Sequence, residues 1–152
     1  MVERSASVHA SCVLVGARAV LIRGPSGCGK SRLALELIQA AESGSLHFAR
    51  LVADDRVHLA AAAGRLLARP AEALTGLIEV RGIGLLRLPY EPCAVVGLVI
   101  DLAATDETRL PDHGQRELLI DGISLPRLPV ASGADALPGV LTLLNSRAEC
   151  WV

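Results

Sequence analysis

The stretch GPSGCGKS, residues 24–31, lies directly between an apolar run, AVLI at 19–22, and RLALELIQAAES, a segment rich in strong helix formers. No other feature restricts the fold as much, because a strand, a glycine-rich turn and a helix must follow one another in immediate succession. Gly24, Pro25, Ser26, Gly27, Cys28, Gly29, Lys30 and Ser31 fill the pattern G-x-x-x-x-G-K-[ST] at every position. Gly27 and Gly29 permit a tight backbone whose N–H groups face inward, which makes a concave anion site at a helix N-terminus. Lys30 then places a point charge on the β- and γ-phosphates, and the Ser31 hydroxyl is suited to ligate Mg²⁺. The chain holds fourteen arginines and one lysine, and that lysine is Lys30. A glycine-rich turn can carry Lys and Ser by chance, but the strand before it and the helix after it argue for nucleotide binding.

The flanking sequence outlines one mixed α/β domain over 1–152. CVLV at 12–15 and AVLI at 19–22 are joined by GAR and read as a hairpin, and Gly44 closes the helix that follows the loop. Residues 51–53 and 57–60 carry further strand signal, and AAAGRLLARP reads as a turn at Gly64 followed by another strand. Strands so closely spaced favour antiparallel pairing. AVVGLVIDLA, 94–103, is the best candidate for a buried strand. SLPRLPV is expected to be a proline-interrupted edge strand at most. Residues 134–148 are expected to form a terminal helix with Pro138 in its first turn. Phe48, Tyr90 and Trp151 are the only aromatic residues in a chain that is 51% hydrophobic, so the core must be Leu, Val, Ile and Ala.

Composition excludes several function classes. Net charge is -1 with the positive residues scattered, so there is no basic stripe for nucleic acid. No apolar run approaches the ~20 residues that span a bilayer. Cysteines 12, 28, 93 and 150 show no CxxC spacing, and nothing near the start resembles a secretory signal. A soluble protein of the reducing cytoplasm is the expectation.

LVADDRVHLA, 51–60, sets Asp54 and Asp55 side by side in a run that otherwise reads as buried strand. A carboxylate in an apolar setting is costly unless a cation, metal or donor meets it. Successive strand side chains point to opposite faces, so both can aim at one ion only if the strand ends between them. One of them facing the phosphates through Mg²⁺ or an attacking hydroxyl is one reading; both capping a turn before Arg56 is the other. His9, Arg109 and LIEVRGIGLL with Glu79 and Arg81 carry no functional signal by spacing alone, and Gly82 and Gly84 could simply mark a bulge.

The loop, LVADD and IEVRGIG, in that order, resemble the catalytic domain of bacterial HPr kinase/phosphorylase, whose motifs run close to GDSGxGKS, LVADD and LEIRGLG. The likeness covers roughly residues 9–130. It implies a P-loop nucleotide-binding domain with a mixed sheet, similar to phosphoenolpyruvate carboxykinase, and a hexamer. It implies ATP and Mg²⁺ as cofactors and HPr, the phosphocarrier of the sugar phosphotransferase system, as partner. By resemblance Asp54 is the base on the acceptor serine and the acid in phosphorolysis, with Asp55 in support. His9 helps to hold the protonation state, Glu79 lies near the metal with Ser31, Arg81 belongs to the nucleotide signature, and Arg109 in ETRLP meets phosphate charge. Pro25 departs from the family's Asp, and PVASGADAL replaces its PGRN-like segment. With few residues ahead of the loop, the chain resembles a short form without the family's N-terminal domain.

The expected function is a Mg²⁺ and ATP-dependent serine kinase acting on HPr, with possible phosphorolysis in reverse, in the control of carbohydrate uptake. An ATP-binding regulatory or scaffold protein without phosphoryl transfer is the alternative from a different class. A small-molecule kinase rests on the loop alone.

Overall fold

The computed structural model of the chain describes residues 7–107 and 116–146. The expected hairpin forms: β1, Ser7–Val15, turns at Gly16 into β2, Arg18–Arg23. β1 starts earlier than its apolar run because Ser7, Val8 and His9 pair with a different strand, β4, Arg56–Ala62. The glycine-rich loop leads from β2 into α1, Lys30–Glu42, which buries the stripe Leu33, Ala34, Leu37 and Ala40. Past its end, the N–H groups of Ser45 and Leu46 both donate to Ala40 O, at 2.8 and 3.1 Å, with Gly44 left-handed between helix and chain exit.

The chain continues through β3 (Ala49–Ala53), β4, β5 (Arg65–Pro70), a single 3-10 turn at Glu72–Leu74, β6 (Leu77–Val80), β7 (Gly84–Arg87) and β8 (Ala94–Ala104). β9 (Glu117–Ile120), β10 (Ile123–Ala131) and a second helix, α2 (Leu137–Asn145), follow, with Pro138 in the first turn of α2 as expected. Short-range pairs are antiparallel, as their spacing required. The parallel pairs join strands that are not consecutive in the chain: β2 with β8, and β8 with β10.

These pairings close a ring. β1 pairs β2, β2 pairs β8, β8 pairs β5, β5 pairs β4, and β4 returns to β1. Along its other edge β1 is bordered first by β4 and then by β3. Asp54 and Asp55 sit at the junction between those two strands.

Strict alternation divides the core. On β2, Val20 and Ile22 face α1, where they pack with Leu33, Leu37, Leu51, Ile78, Ile100 and Val140. Ala19 and Leu21 face the opposite way, toward Cys12, Val52, Val57, Leu66, Val96 and Val99. Burial pushes the Cys12 thiol up to about 12, so it is a core residue and no nucleophile. No helix among the described residues is long and apolar enough to cross a membrane.

SLPRLPV forms most of β10, an unbroken strand that links β8 to β9 in the sheet. Its first half pairs β9 and its second half pairs β8, so each half carries its ladder on one side. A strand bonded on one side needs only alternate N–H groups, which leaves room for Pro126 and Pro129.

Candidate functional site

The described residues bury three polar or charged side chains, Ser11, Lys30 and Asp54, and all three meet at one place. It lies where the loop leaves β2, where β3 gives way to β4, and where the β6–β7 hairpin folds over them.

The loop is held by its glycines and by Lys30. Gly29 caps α1 in a left-handed conformation, φ 100, and Leu33 N donates to its carbonyl at 2.9 Å. A Cβ on Gly24 would stand 2.6 Å from Cys28 Sγ and 3.0 Å from Leu102 O, so the loop's first residue has no room for a side chain. Lys30 Nζ donates to Gly24 O at 2.8 Å and Pro25 O at 3.0 Å, folding the loop around the ammonium. The first turn of α1 carries no acid to compete for an anion at this N-terminus.

Asp54 and Asp55 occupy contrasting surroundings. Asp54 is 4% exposed. Its Oδ1 accepts from Ser11 Oγ at 2.6 Å and from Ser31 Oγ at 2.8 Å; its Oδ2 accepts from Ser31 Oγ at 2.9 Å and from the Glu79 N–H at 3.0 Å. Asp55 adopts φ 69, which breaks the alternation and ends the strand between the two acids. Its side chain is 60% exposed, and its Oδ1 lies 2.9 Å from His9 Nε2, an ion-pair contact when the imidazole is protonated. Arg56 N donates to Asp54 O at 2.8 Å, so a turn is present, but neither carboxylate is consumed in capping it.

A cavity of about 680 Å³ opens over this arrangement. The loop from Ser26 to Ser31 lines one wall, His9 and Asp55 another, and Glu79 and Arg81 a third. Gly24 stands at the foot of the loop and Asp54 beneath the floor. Gly82 and Gly84 mark the turn of the β6–β7 hairpin, which carries Glu79 and Arg81 to the cavity. Arg109 lies outside the described residues.

Ser31 and Glu79 both line the cavity and carry hard oxygen donors, a hydroxyl and a carboxylate, which suit Mg²⁺. Among the described residues no group of three or more His, Cys, Asp or Glu side chains is arranged to hold a metal. An ion here would share its coordination with phosphate oxygens and water, the habit of Mg²⁺ at nucleotides.

Two features escaped the sequence reading. Ser11 stands two residues from His9 on the same face of β1, so strand alternation could have found it once His9 was in view. The other is an ionic network at the foot of the loop. Arg23 Nε and Nη2 donate to both oxygens of Asp101, at 2.7 and 2.8 Å, and Arg127 Nε donates to Asp101 Oδ2 at 2.6 Å. Arg127 Nη1 and Nη2 reach on to Asp106, at 2.7 and 3.0 Å. No short-range pattern joins these four residues.

A glycine-rich anion loop at a helix start, a hydroxyl tied to a buried carboxylate and a second carboxylate open to the cavity define a mixed α/β phosphate-loop domain. The HPr Serine kinase C-terminal domain family matches residues 1–90. HPr kinase/phosphorylase of Streptococcus thermophilus is 37% identical over 146 aligned positions, covering 88% of this chain and 45% of that protein. The enzyme of the same name from Streptococcus equi subsp. zooepidemicus is 36% identical, covering 98% of this chain and 50% of its own length. The solved structure of the Hpr(Ser) kinase/phosphatase from Coxiella burnetii superimposes with a TM-score of 0.72 at 25% identity, covering 91% of this chain and 87% of that one. This chain belongs to the HPr serine kinase C-terminal domain family. It spans about half the length of the curated relatives it matches.

Proposed function

We propose that this domain transfers the γ-phosphoryl group of ATP, taken as its Mg²⁺ complex, to a serine of the phosphocarrier protein HPr, and runs the reverse phosphorolysis. The observation that carries the reading is the division of labour between the acids. Asp54 is buried with its oxygens engaged by Ser11, Ser31 and the Glu79 N–H, whereas Asp55 faces the cavity beside His9. This favours exchanging the roles that resemblance implied: Asp55 is the base, and Asp54 holds the floor of the site.

Phosphoryl transfer asks the protein for cations around the moving group and a base on the nucleophile. The loop N–H groups and Lys30 hold the phosphates, and Arg81 adds charge from the hairpin. Ser31 and Glu79 are the residues that would hold Mg²⁺, which neutralises charge on the β- and γ-phosphate oxygens. Asp55 accepts the proton of the acceptor hydroxyl as the serine oxygen bonds to the γ-phosphorus and the bond to the β-phosphate oxygen breaks, releasing ADP. In reverse, inorganic phosphate attacks the phosphoserine, Asp55 returns a proton to the serine oxygen, and pyrophosphate leaves. His9 orients the Asp55 carboxylate through its 2.9 Å contact. A cytoplasmic homo-hexamer acting in carbohydrate regulation is the setting this reading adopts, and sedimentation velocity tests the assembly.

The test is transfer of γ-labelled phosphate from Mg²⁺-ATP to purified HPr, with an HPr whose acceptor serine is alanine as control. Label is expected on HPr and absent from the control, and Asp55→Asn is expected to lower the rate by about 10²-fold or more while ATP still binds. Transfer by Asp55→Asn at the unmutated rate would sink the assignment. The sequence ASGAD, in place of the family's PGRN-like segment, favours a second reading, an ATP-binding regulatory domain without transfer. Tight ATP binding with no label on HPr would favour that one.

A further inference from the structure

We infer that Ser11 is a positioning residue for the cation side of this site, setting the orientation of Ser31 through Asp54. The inference rests on the phosphoryl-transfer reading above only so far as that reading places metal–nucleotide at Ser31.

Ser11 lies in the middle of β1 with no solvent exposure. A buried hydroxyl needs a partner, and the partner here is ionic: the 2.6 Å contact to Asp54 Oδ1 is in the range of a charge-assisted O–H···O⁻ bond. An ionised carboxylate only accepts, so Ser11 must donate. The same logic fixes Ser31. Its Oγ stands 2.8 and 2.9 Å from the two oxygens of Asp54, so its single proton points at Asp54. Both Ser31 lone pairs are then turned away from Asp54, toward the cavity that Ser31 lines.

Whether that orientation persists depends on what holds the Asp54 carboxylate. Two groups other than Ser31 do so: Ser11 from β1 at Oδ1 and the Glu79 N–H from β6 at Oδ2. They grip opposite oxygens and so fix the carboxylate plane. Without the Ser11 hydroxyl, Oδ1 is met by Ser31 alone, the carboxylate can rotate about the Glu79 contact, and the Ser31 proton can follow it. The lone pairs offered to a cation are then no longer fixed. The loop N–H groups and Lys30, which meet phosphate directly, do not pass through Ser11. Loss of Ser11 should therefore weaken metal-dependent binding and spare metal-independent binding.

The experiment titrates Mn²⁺, as a stand-in for Mg²⁺, into the full chain with a fluorescent ADP analogue, and repeats the nucleotide titration in excess chelator. For Ser11→Ala the Mn²⁺ concentration giving half-maximal enhancement of binding is expected to rise about 10-fold, the low end of what losing an outer partner of a metal ligand costs, because Ser11 acts one step further out through Asp54. Binding in chelator is expected to stay within about twofold of the unmutated chain. Ser11→Cys, which keeps a weak donor, is expected to lie between the two and serves where the alanine variant fails to fold. An unchanged Mn²⁺ midpoint in either variant, or an equal loss with and without metal, would overturn the inference. The readout involves neither HPr nor transfer. Metal-dependent nucleotide binding without transfer to HPr would overturn the kinase reading while leaving Ser11 its role, and a chain that binds no nucleotide would overturn both.

Discussion

Asp54 and Asp55 are neighbours in the chain with opposite surroundings, and the difference turns on one backbone angle. A regular strand would place their side chains on opposite faces. The left-handed φ of 69 at Asp55 instead ends the strand and leaves Asp55 at the cavity beside His9. The pair was visible in the sequence as an anomaly of burial, and the demand for partners was correct. The assignment of partners was not legible, because it depends on which acid falls before the break. Stability should separate them. Asp54→Asn replaces an acceptor that meets only donors with an amide that turns its NH₂ toward one of them, so unfolding free energy should fall by about 1–3 kcal/mol. Asp55→Asn, at an exposed position, should stay within about 0.5 kcal/mol. Urea unfolding of the two variants reads this directly, and an Asp54→Asn chain as stable as the unmutated one would mean that the buried network contributes nothing.

Among the elements, the loop and α1 were the most legible, because their determinants are local: glycines, one lysine, a helical stripe and a left-handed exit. The three β-strand runs after α1 were legible for the same reason. β10 was legible only in part: its two prolines point to a strand with an open side, which each half has, but the switch of partner from β9 to β8 rests on long-range pairing. Within the loop the glycines are unequal. Gly24→Ala would drive a Cβ to 3.0 Å from the backbone carbonyl of Leu102, which cannot step aside as the Cys28 side chain can. Gly27 has φ 77 but open space around its Cβ position. Gly24→Ala is therefore expected to cost about 1–3 kcal/mol of strain and displace the loop. Gly27→Ala is expected to cost about 1–2 kcal/mol, the left-handed penalty alone. Thermal denaturation with and without ADP checks both. In Gly24→Ala the stabilisation by ADP should shrink along with the melting temperature, and a normal ADP shift there would show that the contact at Leu102 does not shape the anion site.

At the scale of the whole molecule, a ring of five strands is closed by pairings that no local pattern announces. β2 and β8 run parallel with residues 24–93 between them in sequence, and β10 joins β8 from further on. The side chains that tie these strands together are Arg23 on β2, Asp101 on β8 and Arg127 on β10. Burial would raise the Asp101 carboxyl, but the Arg23 and Arg127 guanidiniums bonded to it outweigh that and hold it below its ordinary value of 3.8. A carboxyl with a lowered folded-state pKa contributes stability that is fully present above its unfolded pKa and is lost as pH falls through the folded one. Arg127 is raised further above its already high value and stays charged throughout. The difference in unfolding free energy between the unmutated chain and Asp101→Asn should thus be constant near neutral pH and shrink once pH drops below about 4. Denaturant unfolding of both chains from about pH 7 to about pH 3 gives that difference directly. A difference that is flat across the acid range, or one that grows toward low pH, would show that Asp101 is not the ionic tie between the strands that carry the loop. The same variant loosens Arg23, the residue directly before Gly24, so its cost should also be felt in nucleotide affinity, which links the closure of the ring to the shape of the anion site.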